Sequence, residues 1–489
     1  MLPIEPLDRT MGKLGQQLAA SLRQAIRSGE LKTGELLPSS RQLAASMGLS
    51  RGTVTEAFEQ LIAEGFLEAQ HRGGTRVAKV LAEMPAPMPI EAQTDTLSGR
   101  AAEFERIAKQ ITYLPPVPFS VSVPTGLASP GEIWRKLGNR IRAQSTGAPT
   151  GYDDPQGVLS LREAIAGYIR RSRAVQCSAD QVIITSGTQQ GLFLACQVLL
   201  DDTDVAWIED PAYWGITGIL ETMRRMDRVA RIRVDSAGID VAHGIQTAPD
   251  ARVAFVTPSH QYPLGMPMSM GRRNELVTWA QTHKAWIVED DYDSELRYAG
   301  HPFPALQGLA PDRVVYLGTF SKVLYPSLRL GYIVAPKMLV NAFCGARMLM
   351  DRHSPSTEQH VLAAYIHEGH FERHIRRIRH LYAERRQQLI GLIHSMIPSH
   401  LAWLQPSDQG MHLLLWFAEG IDDQSVVKQA MLAGISLRAV SPMFAGENGR
   451  PGVILGLGGF DIAAMQAGIQ YLNQLLIEHS QAANHTPAA

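Results

Sequence analysis

Cysteine is scarce: Cys177, Cys196 and Cys344 are the three in a chain of 489 residues. They lie far apart and form no CxxC pair, which argues against a disulfide framework or a zinc ribbon and fits a reducing compartment. The opening Met1-Leu2-Pro3-Ile4-Glu5 lacks the basic and apolar regions of a secretory signal. No uncharged apolar run reaches the roughly 20 residues that span a bilayer. A cytoplasmic chain with no membrane partner is the expectation. A charge excess is missing too, with 46 Lys+Arg against 47 Asp+Glu and a net of −1. This excludes a wholly basic protein but not a local basic face. Residues 1–80 carry ten basic and eight acidic residues, so any nucleic-acid argument there must rest on motif.

The length predicts two or three domains. Residues 12–64 are helical in period, interrupted at Gly29, Gly34 and Gly48. Residues 79–118 hold six prolines and few apolar anchors, which reads as a linker in which Ala101–Ile111 can form one helix. From 119 onward, apolar strands alternate with helical patterns: Gln181–Thr185, Val205–Ile208, Val253–Val256, Trp286–Val288, Val314–Leu317 and Tyr332–Val334. That alternation predicts an α/β domain with a mostly parallel sheet, spanning 119–478.

In the first region, 12–78, Pro38-Ser39-Ser40-Arg41 caps a short helix that Gly48 ends. Leu49-Ser50-Arg51-Gly52-Thr53-Val54 then opens the next helix, with Ser50 as its cap. This is helix-turn-helix spacing. It leaves Arg51 and Thr53 near the end that enters a major groove, where arginine meets guanine and threonine a thymine methyl. His71-Arg72-Gly73-Gly74-Thr75-Arg76-Val77 reads as a glycine-tipped hairpin, a wing able to reach the minor groove. The run resembles the winged helix of GntR-type regulators. The resemblance implies a double-stranded DNA operator, with Arg41 on a phosphate and Ser50, Arg51 and Thr53 at the bases. The wing residues His71, Arg72, Gly74 and Arg76 complete the expected DNA surface. Where some members carry a further arginine, this chain has Thr55.

The second region centres on Lys322, in Gly318-Thr319-Phe320-Ser321-Lys322 after an apolar run, with Arg329 and Gly331 beyond. A lysine at a strand mouth, among hydroxyls and an arginine, suits a Schiff base with a phosphate-bearing aldehyde. Ser186-Gly187-Thr188-Gln189-Gln190 opens an apolar helix and offers backbone N–H groups to an anion; alone it reads equally as an ordinary cap. Glu289-Asp290-Asp291-Tyr292-Asp293 fits a metal, solvation or a pyridinium nitrogen, and Lys322 decides for the last. His367, His370 and His374 have metal-ligand spacing, but Arg373, Arg376 and Arg377 make a cation unfavourable there.

Further runs carry a resemblance across residues 12–475. They include Gly151-Tyr152-Asp153-Asp154-Pro155-Gln156-Gly157, Thr257-Pro258-Ser259-His260-Gln261-Tyr262-Pro263-Leu264-Gly265 and Thr319 to Gly331. Together they are similar to MocR-type regulators, which join a GntR-type winged helix to a fold-type-I aminotransferase-like domain. That resemblance implies pyridoxal 5'-phosphate. Lys322 is then the Schiff-base lysine, and Asp290 faces the ring nitrogen, with Asp291 the substitute. Tyr292 and Tyr262 lie at the ring hydroxyl, and Tyr213 stacks on the ring. Gly187, Thr188, Thr319, Ser321 and Arg329 surround the phosphate. Tyr152 crosses to a partner's phosphate in a homodimer. One departure stands out. The last strand, Val453-Ile454-Leu455-Gly456-Leu457, lacks the arginine that clamps a substrate carboxylate in aminotransferases. Arg438 and Arg450 are near in sequence but not at that position. The effector stays open among an amine, an amino acid and pyridoxal phosphate itself. The expectation is a regulator with weak or no transaminase turnover; the alternative is a working aminotransferase carrying a DNA-binding appendage.

Overall fold

Leu18, Leu22 and Ile26 recur at helical spacing, and in the computed structural model of the chain they form the buried face of α1 (Leu14–Arg27). Helices α2 (Ser40–Met47) and α3 (Arg51–Ala63) close over that face with Leu43, Val54, Phe58 and Leu61. Ser39 accepts the Gln42 N–H while Gln42 reaches back to the Ser39 N–H, and Ser50 accepts the Thr53 N–H at 3.1 Å. These caps satisfy N–H groups that have no partner within their helices. Gly48 ends α2 at φ 64°, a left-handed conformation that glycine reaches without a side-chain clash. Strands β1 (Leu67–Gln70) and β2 (Gly74–Val77) pair antiparallel and seal the core with Leu67 and Val77.

The structure describes residues 7–10, 12–70, 74–79, 97–110, 117–121, 124, 130–144, 151–223, 226–300, 303–446, 449–458 and 460–485. They fall into two compact units, Met1–Leu97 and Ser98–Ala489. In the second, β3 (Val182–Thr185), β4 (Val205–Asp210), β5 (Val229–Asp235), β6 (Gly238–Ile239), β7 (Ala251–Val256), β8 (Trp286–Asp291), β9 (Val314–Thr319) and β10 (Gly331–Val334) form one sheet. Its order is β3-β10-β9-β8-β7-β4-β5-β6. The run β9-β8-β7-β4-β5 is parallel, while β10 lies antiparallel to both β9 and β3. Every residue of β8 and β9 is buried, as expected where helices cover both faces. A smaller antiparallel sheet follows: β11 (Ala402–Leu404), β12 (His412–Phe417), β13 (Arg438–Ala439) and β14 (Gly452–Gly456), in the order β11-β12-β14-β13. The α/β expectation holds.

Part of the stretch expected as linker is ordered. Helix α4 (Gly99–Gln110) packs on the helix Trp214–Thr222, with Arg106 paired to Glu221 and Ile107 beside Gly218. Among the described residues, no helix is long and apolar enough to cross a membrane.

Candidate functional site

Register brings the phosphate-type residues together. Gly331 at the head of β10 pairs with Thr319 on one side and Thr185 on the other. The turns after β3 and β9 therefore meet. The approach is close: a Cβ on Gly331 would lie 2.7 Å from the Gly187 Cα. Gly187, at φ 107°, caps the helix Thr188–Leu199. A Cβ there would sit 3.6 and 3.7 Å from the two terminal guanidinium nitrogens of Arg329. Arg329 itself is held at φ 50°, an uncommon conformation for a residue with a side chain. Thr319 Oγ1 accepts the Ser321 N–H at 3.2 Å, and the buried Ser321 Oγ has no hydrogen-bond partner. N–H groups at a helix start, a guanidinium and open hydroxyls thus surround one space, an anion cradle.

Lys322 follows directly and is half-buried. Desolvation of its amine lowers its pKa to about 8, while the carboxylates of Asp293 and Asp290 pull it back up. The loop is tied down behind it, where His374 on the helix His370–Met396 bonds the Val323 carbonyl at 2.6 Å. Burial lowers the His374 pKa; of the three histidines with metal-ligand spacing it is the one that makes this positioning contact, and His367 ends the preceding helix, Ser356–His367.

The acidic run at the end of β8 separates by strand alternation. Glu289 accepts the Leu306 and Gln307 N–H groups, each at 3.0 Å. Asp291 takes Arg173 at 2.9 Å, Tyr316 at 2.5 Å and Ser294 at 2.9 Å. Asp293 takes His260 Nδ1 at 2.9 Å. Asp290 points to the other face, buried, with Oδ1 unpartnered. Burial, followed by the neighbouring Asp291 charge, raises its pKa to about 7, and Lys322 opposes the shift. Asp290 and Lys322, at the ends of adjacent strands, are thus mutually felt charges.

Three tyrosines wall the space between them. Tyr213 meets the Tyr262 ring edge-on at 5.6 Å, and its hydroxyl donates to Gln189 at 3.2 Å. The Tyr262 and Tyr292 rings are 6.1 Å apart, and the Tyr292 hydroxyl donates to the His260 carbonyl at 3.0 Å. Residues to which the sequence reading gave no role stand here too. His412 is buried 4.8 Å from the His260 ring, and its pKa falls to about 3 through desolvation and then the His260 charge. His260, Asp293 and His412 offer ligand atoms within 4.8 Å of one another, but His260 and Asp293 are already engaged with each other. Arg438 stands on β13, and burial raises the Tyr262 pKa while the Arg438 guanidinium opposes the shift. The signal that would have found it is the β13–β14 pairing, which local sequence does not carry. Beside the site opens a cleft of about 830 Å³ bounded by Ala212, Trp214, Arg231, Arg438 and Ile107 of α4. Ala212 also borders the space against Asp290.

Tyr152 stands apart from this group. It is 78% exposed, with the Arg352 guanidinium 4.2 Å above its ring. In the first unit, Arg41 and Arg51 are exposed at the starts of α2 and α3. Ser50 and Thr53 share a hydrogen bond of 2.8 Å between their hydroxyls, and Thr55 donates to the Arg51 carbonyl at 2.9 Å. Gly74 is exposed at φ 81°, while Arg76 turns back and donates to the Gly34 carbonyl at 3.3 Å. His71 and Arg72 lie outside the described residues.

Comparison with known proteins agrees with this division. Residues 116–435 match the family "Aminotransferase class I and II", and residues 14–77 match "Bacterial regulatory proteins, gntR family". The chain is 37% identical to the probable rhizopine catabolism regulatory protein MocR of Rhizobium meliloti, over 94% of this chain and 93% of that one. It is 31% identical to the HTH-type pyridoxine biosynthesis transcriptional regulator PdxR of Corynebacterium glutamicum, over 94% and 95%. The multiple substrate aminotransferase from Thermococcus profundus shares the fold at TM-score 0.70 and 24% identity, covering 79% of this chain and 98% of that one. The chain belongs to the MocR-type family of transcriptional regulators, in which a GntR-type winged helix is joined to an aminotransferase class I and II domain.

Proposed function

We propose that the chain is a DNA-binding transcription regulator whose aminotransferase-like unit holds pyridoxal 5'-phosphate and meets a small effector there. The observation that carries this reading is the unpartnered Asp290 carboxylate facing Lys322, beside an anion cradle with an open Ser321 hydroxyl. These groups fit the cofactor. Asp290 would hold the ring nitrogen protonated, Tyr292 and Tyr262 would border the ring hydroxyl, and Tyr213 would cover a ring face. Gly187, Thr188, Thr319, Ser321 and Arg329 would take the phosphate. When bound, pyridoxal phosphate supplies an aldehyde that joins reversibly to an amine and a ring that withdraws electrons.

The chain's own residues then divide the work. The lowered pKa of Lys322 keeps a share of its amine neutral near pH 8, ready to act as nucleophile and to be displaced by another amine. Neutral His412 and the His260–Asp293 pair back the tyrosine wall. Release of Lys322 frees the loop that carries it, and an effector that favours one state of that loop shifts the population of the chain. Exposed Tyr152, with Leu349 92% exposed on the helix Val340–Met350, supports a homodimer as part of the reading.

The test begins with purified chain incubated with pyridoxal phosphate. A visible band should form, borohydride should fix the cofactor to the Lys322 peptide, and Lys322→Ala should remove both signals. A colourless protein with no reducible adduct defeats the reading. Selected genomic fragments then report DNA binding with and without added amines. Steady transamination of common amino acids at enzyme-like rates would favour the working-enzyme alternative, which uses the same lysine and aspartate.

A further inference from the structure

α4 is the first element of the second unit, and none of its described side chains is buried. Two contacts on the helix Trp214–Thr222 hold it: the Arg106–Glu221 pair, and the Ile107 side chain beside Gly218. The side chains of that pair are 43% and 32% exposed, and a surface ion pair is worth little in water. At 12 residues, α4 is near the length below which an isolated helix is marginal. The helix Leu159–Arg173, by contrast, buries Leu161, Ile165 and Ile169. α4 therefore stands at the low end of local stability in this unit.

Its place in the chain gives that weakness a use. The covalent path from the first unit meets the second at α4. A firmer attachment comes at Pro118, 19 positions after Gly99. The Pro118 carbonyl accepts the Ser436 N–H at 3.0 Å, and the Phe119 carbonyl accepts the Gly456 N–H at 2.9 Å. The Phe119 side chain is buried so close to Gly468 that a Cβ there would strike its ring. The other end of the α4 contact leads to the tyrosine wall. Tyr213 precedes the helix Trp214–Thr222, and a Cβ on Gly215 would lie 2.2 Å from the Tyr213 ring, which therefore rests on the first turn of that helix. Gln189 ties the same turn, donating to the Gly215 carbonyl at 3.1 Å and accepting from the Tyr213 hydroxyl at 3.2 Å.

We propose that α4 is a releasable clip through which the state of the cofactor space sets the reach of the DNA-binding unit. Docked, α4 anchors the connection at Gly99. Released, it passes the anchor to Pro118 and Phe119, and the connection gains up to roughly 60 Å at full extension. A cofactor ring held against Tyr213 steadies the first turn of the helix Trp214–Thr222 and favours the docked state. An effector that draws the ring off Tyr213 favours release. The inference rests on the cofactor reading for its trigger, and on α4 and its two contacts for the clip.

Hydrogen exchange on the full chain, with and without pyridoxal phosphate, tests this. The α4 amides should exchange about a hundredfold or more faster than those of the helix Leu159–Arg173. The cofactor should slow them about fivefold or more, the usual scale of coupling between two sites. Glu221→Ala, a surface change, should speed α4 exchange, abolish the slowing by the cofactor and leave the visible band in place. The effect of the cofactor on binding to selected genomic fragments should shrink in the same variant. α4 amides as protected as those of the buried helix overturn the inference. So does a band that forms without slowing α4, or a slowing that survives Glu221→Ala. DNA binding that ignores the cofactor in the unaltered chain, or responds to it undiminished in the variant, overturns it as well. Where the band has formed, none of these results touches the cofactor reading. If no band forms, the cofactor reading and the trigger fall together.

Discussion

Arg173 holds Asp291 at 2.9 Å with both side chains buried, and this pair decides which carboxylate of β8 is left for chemistry. Asp291 is occupied from behind the strand, so of the two it is Asp290 that is left beside Lys322. Arg173→Ala would leave a buried carboxylate supported only by the hydroxyls of Tyr316 and Ser294. The expected loss is about 3–5 kcal/mol in chemical denaturation, the usual cost of breaking a buried pair. A loss under about 1 kcal/mol would mean that the pair carries little.

Asp290→Asn keeps the shape of the site and removes its charge. Affinity for pyridoxal phosphate should fall by about tenfold to a hundredfold, the scale of one hydrogen bond to a charged group. Equilibrium dialysis of the visible species measures it. Asp291→Asn should lower stability instead, and a reversed pattern would reassign the two residues.

Cofactor capture should depend on pH in a defined direction. The Lys322 ammonium has its pKa lowered to about 8, so the neutral amine gains as pH rises through that value. Stopped-flow absorbance on cofactor-free chain should show capture accelerating roughly tenfold per pH unit below this point and levelling above it. A rate still climbing near the ordinary lysine pKa would show that burial does not perturb this amine.

Arg51 is exposed at the start of α3 next to the Ser50 cap. Arg51→Ala should weaken binding to selected genomic fragments by about 1–3 kcal/mol and relax preference at one base pair. Arg41→Ala, at the start of α2, should weaken all fragments alike. Gel shifts over several sequences separate the two effects.

Much of this was legible in the sequence because the signals are local. The hydroxyls around Lys322, the glycine before Thr188 and the serine caps of α2 and α3 each act within a few residues. Asp290 was preferred to Asp291 through the family resemblance alone, since the residue that occupies Asp291 is 118 positions away. Arg438 was named but set aside as off the last strand, because the pairing of two residues of β13 with β14 across the smaller sheet is not a local signal. His260 and His412 come from separate segments and meet only in the folded core. Arg76 reads as a wing residue by motif, yet its guanidinium returns to Gly34, a contact set by the backbone between α1 and α2.

The meeting of Gly331 with Gly187 has a consequence for mutation. The atoms 2.7 and 2.8 Å from any added methyl are main-chain atoms, the Gly187 Cα and the Gly318 carbonyl oxygen. No rotamer change can move them aside. Alanine at 331 would therefore wedge the first turn of the helix Thr188–Leu199 away from Arg329, and the wound would be a widened mouth rather than a lost ligand.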